Sequence, residues 1–533
     1  MHFVPRTKHG FSNIRLYYCR KILINMKKFY IQLCLLMAFA LFNLQSFATE
    51  VYKYKTAGQG PNMFKQYSMC RNNSNDGFVY AGTTKNSFNE DIIHIVSTNN
   101  SFATNWSFGY SEVNGHTLNC TKIAPRGNSL GYWVSGYFGE GTSSSDPHYP
   151  YIMKIRNNGN VVIHSIGNFQ PGVFLDVEPT RDGGCIAVGF ESSTINETEN
   201  NSGRRGLIVK FDSSLNIVWS REYTSVYAQT NPYNQFFEIA ENVTVINSAS
   251  TGYKDEYFIM GSVSGAGSSA TVPYASYVYL NNTGGANYAH TCISYGNASD
   301  AVYDSTDNSI YYTAKYNVKN TDETFFLGKI SLTFGNVIYQ KVFEGAAQYP
   351  FAHVNFPYKI VLENEFLWVM GYTRNYVYNN TSTQCTNIMI PFYAKFEKDT
   401  GLNLLFGINH TDTIHTRGYP TEESGFLYSY DNASITFDRY YTPVYFPEMG
   451  CCYYDNSNTF RLGMCGYYNN TSPVIFKLQL FSTEIGQCDY LSRDLIFYHH
   501  PVVDLEIVID NYNYTAKTLT IHKNTITLDD DGC

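Results

Sequence analysis

Few residues in this chain are spaced for chemistry. His499 and His500 are the one adjacent histidine pair. On a strand, neighbouring side chains point to opposite faces, so shared metal ligation is not expected of them. Asp529, Asp530 and Asp531 form a terminal acidic run without the Asp-x-Asp-x-Asp-Gly spacing of a calcium loop, and they read as solvated. The sequence has no P-loop or H-E-x-x-H motif. Asp182, Asp212 and Asp399 stand in turn-like clusters, where an aspartate caps its own backbone. No catalytic residue, metal site or cofactor is expected from these patterns.

Six residues have types suited to binding: His148, Tyr149, Arg204, Arg205, Tyr376 and Tyr378. They fall in three long stretches between apolar runs, Gly139–Pro150, Glu191–Arg205 and Arg374–Pro391. Ser264–Pro273 is a fourth stretch of this kind. Long connections on a rigid scaffold tend to carry function, although they can also be plain insertions. The cysteines offer less. Those after Cys34 are mostly single and widely spaced, and Cys70, Cys120 and Cys185 sit in strand-like runs where a buried thiol is as reasonable as a bridge. Cys451, Cys452, Cys465 and Cys488 are the best candidates for disulfide pairing. Zinc is the weaker alternative there, because no C-x-x-C or flanking histidine accompanies them.

The elements that would position these residues are short strands. Phe174–Tyr223 divides into strands at Phe174–Pro179, Cys185–Phe190, Leu207–Phe211 and Ile217–Tyr223. Polar turns at Thr180–Gly184 and Asp212–Asn216 and one long loop separate them. The unit recurs. Its second strand returns as GFVYAGTT at Gly77–Thr84, GYWVSGYF at Gly131–Phe138 and EYFIMGSV at Glu256–Val263. Later copies are SIYYTAKY at Ser309–Tyr316, EFLWVMGY at Glu365–Tyr372 and FRLGMCGY at Phe460–Tyr467. The third and fourth strands return at Tyr151–Ser165, Phe326–Phe343 and Tyr393–Phe406, each opening on an apolar–Lys–apolar run. Four strands in roughly fifty residues is the size of one propeller blade.

The units Asp182–Ser193 and Gly206–Tyr223 resemble the repeats of secreted bacterial β-propellers of the broad PQQ-like and kelch-like type. The resemblance covers roughly residues 50–485 and implies a scaffold more than an activity. The regular tryptophans of the quinoprotein propellers are missing, since the chain has only Trp106, Trp133, Trp219 and Trp368. The expectation is an all-β chain forming a β-propeller of seven four-stranded blades. Six or eight stay open because Asn409–Gly450 breaks the spacing. Val51–Thr56 resembles a fourth strand and is expected to complete the last blade, closing the ring. Residues 488–533 read as a short β-rich tail or a truncated appendage.

Met26–Ala48 has a basic start, an apolar core and a Ser-x-Ala end, the pattern of a secretory signal peptide. Residues 1–25 then form an upstream extension and residues 49–487 the propeller. No later segment is apolar enough to span a bilayer. Composition agrees with an all-β chain: aromatics are 16%, and charged residues only 15%, of 533 residues. Net charge is -8. Without the seven basic residues of 1–48, 30 basic remain against 45 acidic. That balance disfavours nucleic acid, which needs clustered Lys and Arg. The expected protein is a secreted or cell-surface monomer that binds protein or glycan through long loops on one face. The alternative is a polysaccharide hydrolase or lyase with carboxylates near a central channel.

Overall fold

The computed structural model describes residues 56–57, 67–73, 77–85, 91–99, 104–112, 116–126, 130–139, 147–166, 171–192, 204–225, 238–246, 254–264, 273–291, 297–317, 323–345, 353–378, 385–409, 452–454, 460–468, 472–479, 490–492, 495–499, 507–511, 516–519, 521–525 and 528–529. The chain divides by compactness into Met1–Glu50 with Thr483–Gln487, and Val51–Ser482 with Cys488–Cys533; the described residues all lie in the second unit. The signal peptide, the upstream extension, Cys451 and Cys488 lie outside them.

The described residues contain strands and turns and no helix. Six sheets are antiparallel four-strand meanders taken in chain order. The first comprises Tyr67–Arg71, Gly77–Lys85, Asp91–Asn99 and Thr104–Glu112. The second comprises Thr117–Pro125, Tyr132–Gly139, His148–Ile155 and Val161–Ile166. The third, the repeat template, comprises Gly172–Pro179, Cys185–Ser192, Arg204–Phe211 and Ile217–Ser225. The fourth comprises Glu238–Ile246, Glu256–Ser264, Pro273–Leu280 and Ala286–Thr291. The fifth comprises Ala298–Asp304, Ser309–Asn317, Glu323–Ser331 and Val337–Gly345. The sixth comprises His353–Glu363, Phe366–Tyr378, Cys385–Glu397 and Asn403–Asn409. A seventh sheet pairs Cys452–Tyr454, Phe460–Tyr468 and Ser472–Gln479. Of the expected closing strand, residues 51–55 lie outside the description. Thr56–Ala57 lies beside Ser472–Gln479 and pairs with Leu528–Asp529.

The second to fifth sheets bury both faces, one against each neighbour. In the third sheet, Cys185, Ala187 and Val209 pack with Trp133 and Ile152 of the second. The alternate residues Ile186, Val188 and Ile208 pack with Tyr257, Ile259 and Val278 of the fourth. Side chains alternate across a strand, so a strand buried on both faces must be apolar at nearly every position. That is why the repeats read as short continuous apolar runs. Burying each Val, Ile or Phe contributes about 1.5–3 kcal/mol, so these interfaces dominate the fold. The sheets are thus arrayed face to face in a propeller-like manner.

The small residue of the repeated motif has a structural cause. Five first strands carry a bulge at the same place, between Cys120 and Lys122, Phe174 and Asp176, Ala240 and Asn242, Ala298 and Asp300, and Pro357 and Lys359. The residue before each bulge faces Gly136, Gly189, Gly261, Ala314 or Gly371. A Cβ on Gly136 would meet the Asn119 carbonyl oxygen at 1.9 Å, and one on Gly189 the Val173 oxygen at 1.9 Å. At these two glycines the backbones approach too closely for a side chain, whereas the fifth sheet accommodates the methyl of Ala314.

The tail is part of the sheets. Tyr490–Ser492 pairs antiparallel with Asn403–Asn409, and Leu495–His499 with Val337–Gly345. Ile507–Asn511 pairs with Ile217–Ser225, Ala516–Leu519 with Val161–Ile166, and Ile521–Thr525 with Thr104–Glu112. In each case the tail adds a fifth strand to the outer side of a fourth strand.

Candidate functional site

The bulges bring charges together. A bulge re-aims the residue that follows it. Lys122, Asp176, Asp300 and Lys359 all occupy that position on their first strands. Lys122 Nζ stands 3.0 Å from Asp176 Oδ1, and Lys359 Nζ stands 2.9 Å from Asp300 Oδ2. Each aspartate also receives a backbone N–H from the next sheet: Val243 donates to Asp176 at 2.9 Å, and Ile360 donates to Asp300 at 2.9 Å. Both carboxylates are buried, and their bonds tie each first strand to the following one.

Glu178 is different. It lies two residues beyond Asp176, at the end of its strand. Burial pushes its carboxyl up to about 7, helped by Asp176 and Asp300 and opposed by Lys122 and Lys359. Protein surrounds it, yet part of its surface stays exposed. Burial works against the charge of Lys359, but Asp300 and Glu178 outweigh it and raise its pKa, with Lys122 opposing. Charges from the second, third, fifth and sixth sheets therefore act on one another. In a straight stack at about 10 Å per sheet the second and sixth would lie about 40 Å apart. That is several times the roughly 8–10 Å reach of a screened charge. The first strands converge instead. Glu178 can donate or accept a proton near neutral pH, whereas Asp176 and Asp300 are committed to structure.

The sequence reading missed this cluster. The available signal was a charge inside four of the first strands, Lys122, Asp176, Asp300 and Lys359, each upstream of the motif's small residue.

The first-to-second and third-to-fourth turns share one edge, the turn edge. Its turns close on themselves. Asp182 accepts from the Thr180 hydroxyl at 2.6 Å and the Gly184 N–H at 3.0 Å, and Asp212 accepts from the Ser214 and Asn216 N–H groups at 2.8 Å. The capping role expected of these two aspartates is what they do. Asp399 instead takes an ion pair from Lys329 at 3.1 Å. The repeated Lys of the third strand pins this edge. Lys210 reaches Asp182 at 2.7 Å, Lys154 donates to the Ser213 carbonyl of the next sheet at 2.6 Å, and Lys329 joins Asp307 of its own sheet to Asp399 of the next. Further ties between sheets run from the Arg181 N–H to Asp255, from Arg221 to the Thr283 and Gly284 carbonyls, and from Lys398 to Asp304.

The opposite, loop edge carries the second-to-third connections and the six residues expected to bind. All six lie in strands rather than loops. His148 and Tyr149 open a strand and pair with Gly139 and Phe138; His148 packs on Tyr137 at 4.7 Å and Tyr149 on Phe138 at 5.4 Å. Arg204 and Arg205 pair with Ser192 and Glu191, and exposed Arg205 forms an ion pair with Glu222 at 2.6 Å. Tyr376 and Tyr378 pair with Asn387 and Cys385. The ladder ran on because its bonds are backbone bonds and need no apolar side chains. Arg374–Pro391, expected as a loop, is largely one hairpin. Its strands, Phe366–Tyr378 and Cys385–Glu397, have 13 residues each, against 8 in Cys185–Ser192 and Arg204–Phe211. Past the motif glycine it runs roughly four residues further than the third sheet, or about 13 Å. Residues 140–146, 193–203, 265–272 and 379–384 of the connections lie outside the described residues.

Other reactive groups are structural. Burial takes His94 down to about 3, and its Nε2 meets Ser107 Oγ at 2.9 Å, so it is a neutral core histidine. Cys70, Cys120 and Cys185 are buried, and burial pushes the Cys185 thiol up. Cys452 and Cys465 lie on neighbouring strands, opposite Leu462 and Ile475 respectively. Among the described residues no cluster of three or more His, Cys, Asp or Glu is placed to hold a metal, and no helix is long and apolar enough to cross a membrane.

No family model matches the chain, and no curated protein matches it. Among solved structures, the tail fiber of Staphylococcus aureus phage P68 is similar over 67% of this chain and 96% of that chain, at 7% sequence identity and a TM-score of 0.16. A likeness at that TM-score carries no argument about this chain.

Proposed function

We propose that the chain is an exported, seven-bladed β-propeller that binds a protein or a glycan at its loop edge. The observation that carries this reading is the hairpin of Phe366–Tyr378 and Cys385–Glu397, which outreaches the other sheets on the edge where Arg205, His148 and Tyr149 also lie. A rigid array with one projecting arm suits capture of a large ligand. The converging first strands and the two-faced packing support the propeller. The seven-blade count draws on six four-stranded sheets, the three-stranded group at 452–479, and Thr56–Ala57 standing where its fourth strand would be. Export rests on the signal-like Met26–Ala48.

The test is to replace Tyr376–Asn387 with Asn-Gly, which joins Asn375 to Ile388 by a two-residue hairpin turn. Glycan arrays and surface-protein arrays would be probed with both forms. The expected result is binding by the full chain that disappears in the shortened one, with Tm changed by less than about 2 °C. Binding that survives the shortening would sink the reading. A second reading, a polysaccharide hydrolase or lyase, is favoured only by Glu178. It requires turnover on a polysaccharide panel that is lost in Glu178→Gln.

A further inference from the structure

The tail meets the sheets in the reverse of chain order. It visits the sixth, fifth, third, second and first, and ends with Leu528–Asp529 on Thr56–Ala57 beside the seventh. Between its strands stand only residues 493–494, 500–506, 512–515, 520 and 526–527. The longest of these gaps separates the strands on the fifth and third sheets, and Ile507–Asn511 lies close to the outer strand of the fourth, Ala286–Thr291.

Sheet twist explains how one chain can do this. Adjacent strands rotate by about 20–25°, so a fifth strand lies about 80–100° from the first. The first strands run side by side along the line where they converge. A fifth strand therefore runs across that line, around the outside, and can step to the next sheet within a few residues. The fourth strands all run in one sense, and the tail is antiparallel to five of them and to Thr56–Ala57. That fits one continuous circulation. Roughly 40 residues at about 3.3 Å each reach about 130 Å. A domain of about 430 residues has a radius of gyration of about 22 Å, hence as a uniform sphere an outer girth of about 180 Å, most of which the tail covers on its way from the sixth sheet round to the seventh.

We propose that residues 490–529 form a belt that encircles the propeller and fastens its outer edges, so that the ring is held at its rim by the end of its own chain. The belt rests on the propeller reading. It also covers unpaired outer strands that would otherwise recruit strands of other molecules. Its grip is backbone pairing, so it is reversible and independent of side-chain identity.

The test uses the full chain with a specific protease site placed within 512–515. Cleavage in native buffer is expected to leave the two pieces associated and to lower Tm by on the order of 10 °C. Mild denaturant should then release the C-terminal piece. Amide exchange at Thr104–Glu112 and Val161–Ile166 should rise at least tenfold, while Gly77–Lys85 and Tyr132–Gly139 stay protected. Adding a synthetic peptide of residues 516–529 should restore the protection. Unchanged Tm and exchange after release would overturn the belt. So would concentration-dependent protection in a dimer, because the strands would then come from a second copy. A crosslink between Tyr67–Arg71 and Phe460–Tyr468 reports on the ring separately, since it forms in a closed ring with or without the belt.

Discussion

At the turn edge, Thr180–Gly184 and Asp212–Asn216 close on their own side chains and on the neighbouring sheets. At the loop edge, the same strands of the third sheet stop at Ser192 and Arg204, while those of the sixth run on to Tyr378 and Cys385. The difference lies in what each edge must do. The turn edge holds sheets in register through Lys154, Arg181, Arg221, Lys329 and Lys398, each bonded to a neighbouring sheet. Once that edge and the core are fixed, the loop edge can lengthen in one sheet without disturbing the next. Electrostatics follow the same division. Burial works against the charge of Asp182, but Lys210, Thr180 and the Gly184 N–H outweigh it and hold the carboxyl below its ordinary range. Burial likewise opposes Asp304, and Thr306 and Lys398 overcome it.

The comparison breaks hardest at the scaffold both edges share. Gly189→Val would push a side chain into the Val173 carbonyl, and should cost about 4 kcal/mol in chemical denaturation. A cost under about 1 kcal/mol would mean that the close approach is not needed. At the turn edge, Lys398→Met strands the buried Asp304 without its cation and should cost about 3 kcal/mol. Adding Asp304→Asn should recover part of that loss, and a double variant no better than the single would refute the pairing.

The pH response separates the turn edge from the converging strands. Carboxyls held low, as Asp182 and Asp304 are, contribute stability above about pH 4 that is lost as pH falls below it. Glu178 has the opposite sign. Its folded pKa is raised to about 7, so its contribution is full below about 4.5 and fades as pH rises through 7. Glu178→Gln should therefore stabilise the protein at pH 8 by on the order of 1–2 kcal/mol and change little at pH 5. Equal effects at both pH values would remove the assignment. The smallest effect belongs to the loop edge. Arg205→Ala opens a half-exposed ion pair and should cost less than about 0.5 kcal/mol, while weakening whatever that edge captures. A large loss of stability with capture intact would reverse the roles of the two edges.

Local chemistry made much of the scaffold legible. Cys185–Phe190 was expected and Cys185–Ser192 formed; Leu207–Phe211 was expected and Arg204–Phe211 formed. Both ends grew toward the loop edge, because polar residues such as Arg204, Arg205 and Glu191 can continue a ladder that the apolar run begins. That growth moved the six binding candidates from loops into strands. Lys122, Asp176, Glu178, Asp300 and Lys359 stayed hidden because they are distant in sequence and meet only where bulged strands converge.

By itself, the sequence determined the strand type, the turn positions and the repeat, since continuous apolar runs, Asp- and Asn-capped turns and the motif glycine are each local to one sheet. The tertiary structure alone decided the partners of residues 490–529, the length of the sixth-sheet hairpin and the meeting of charges at Glu178. Backbone pairing at a sheet edge accepts almost any strand, and a charge acquires its environment only when separate sheets come together.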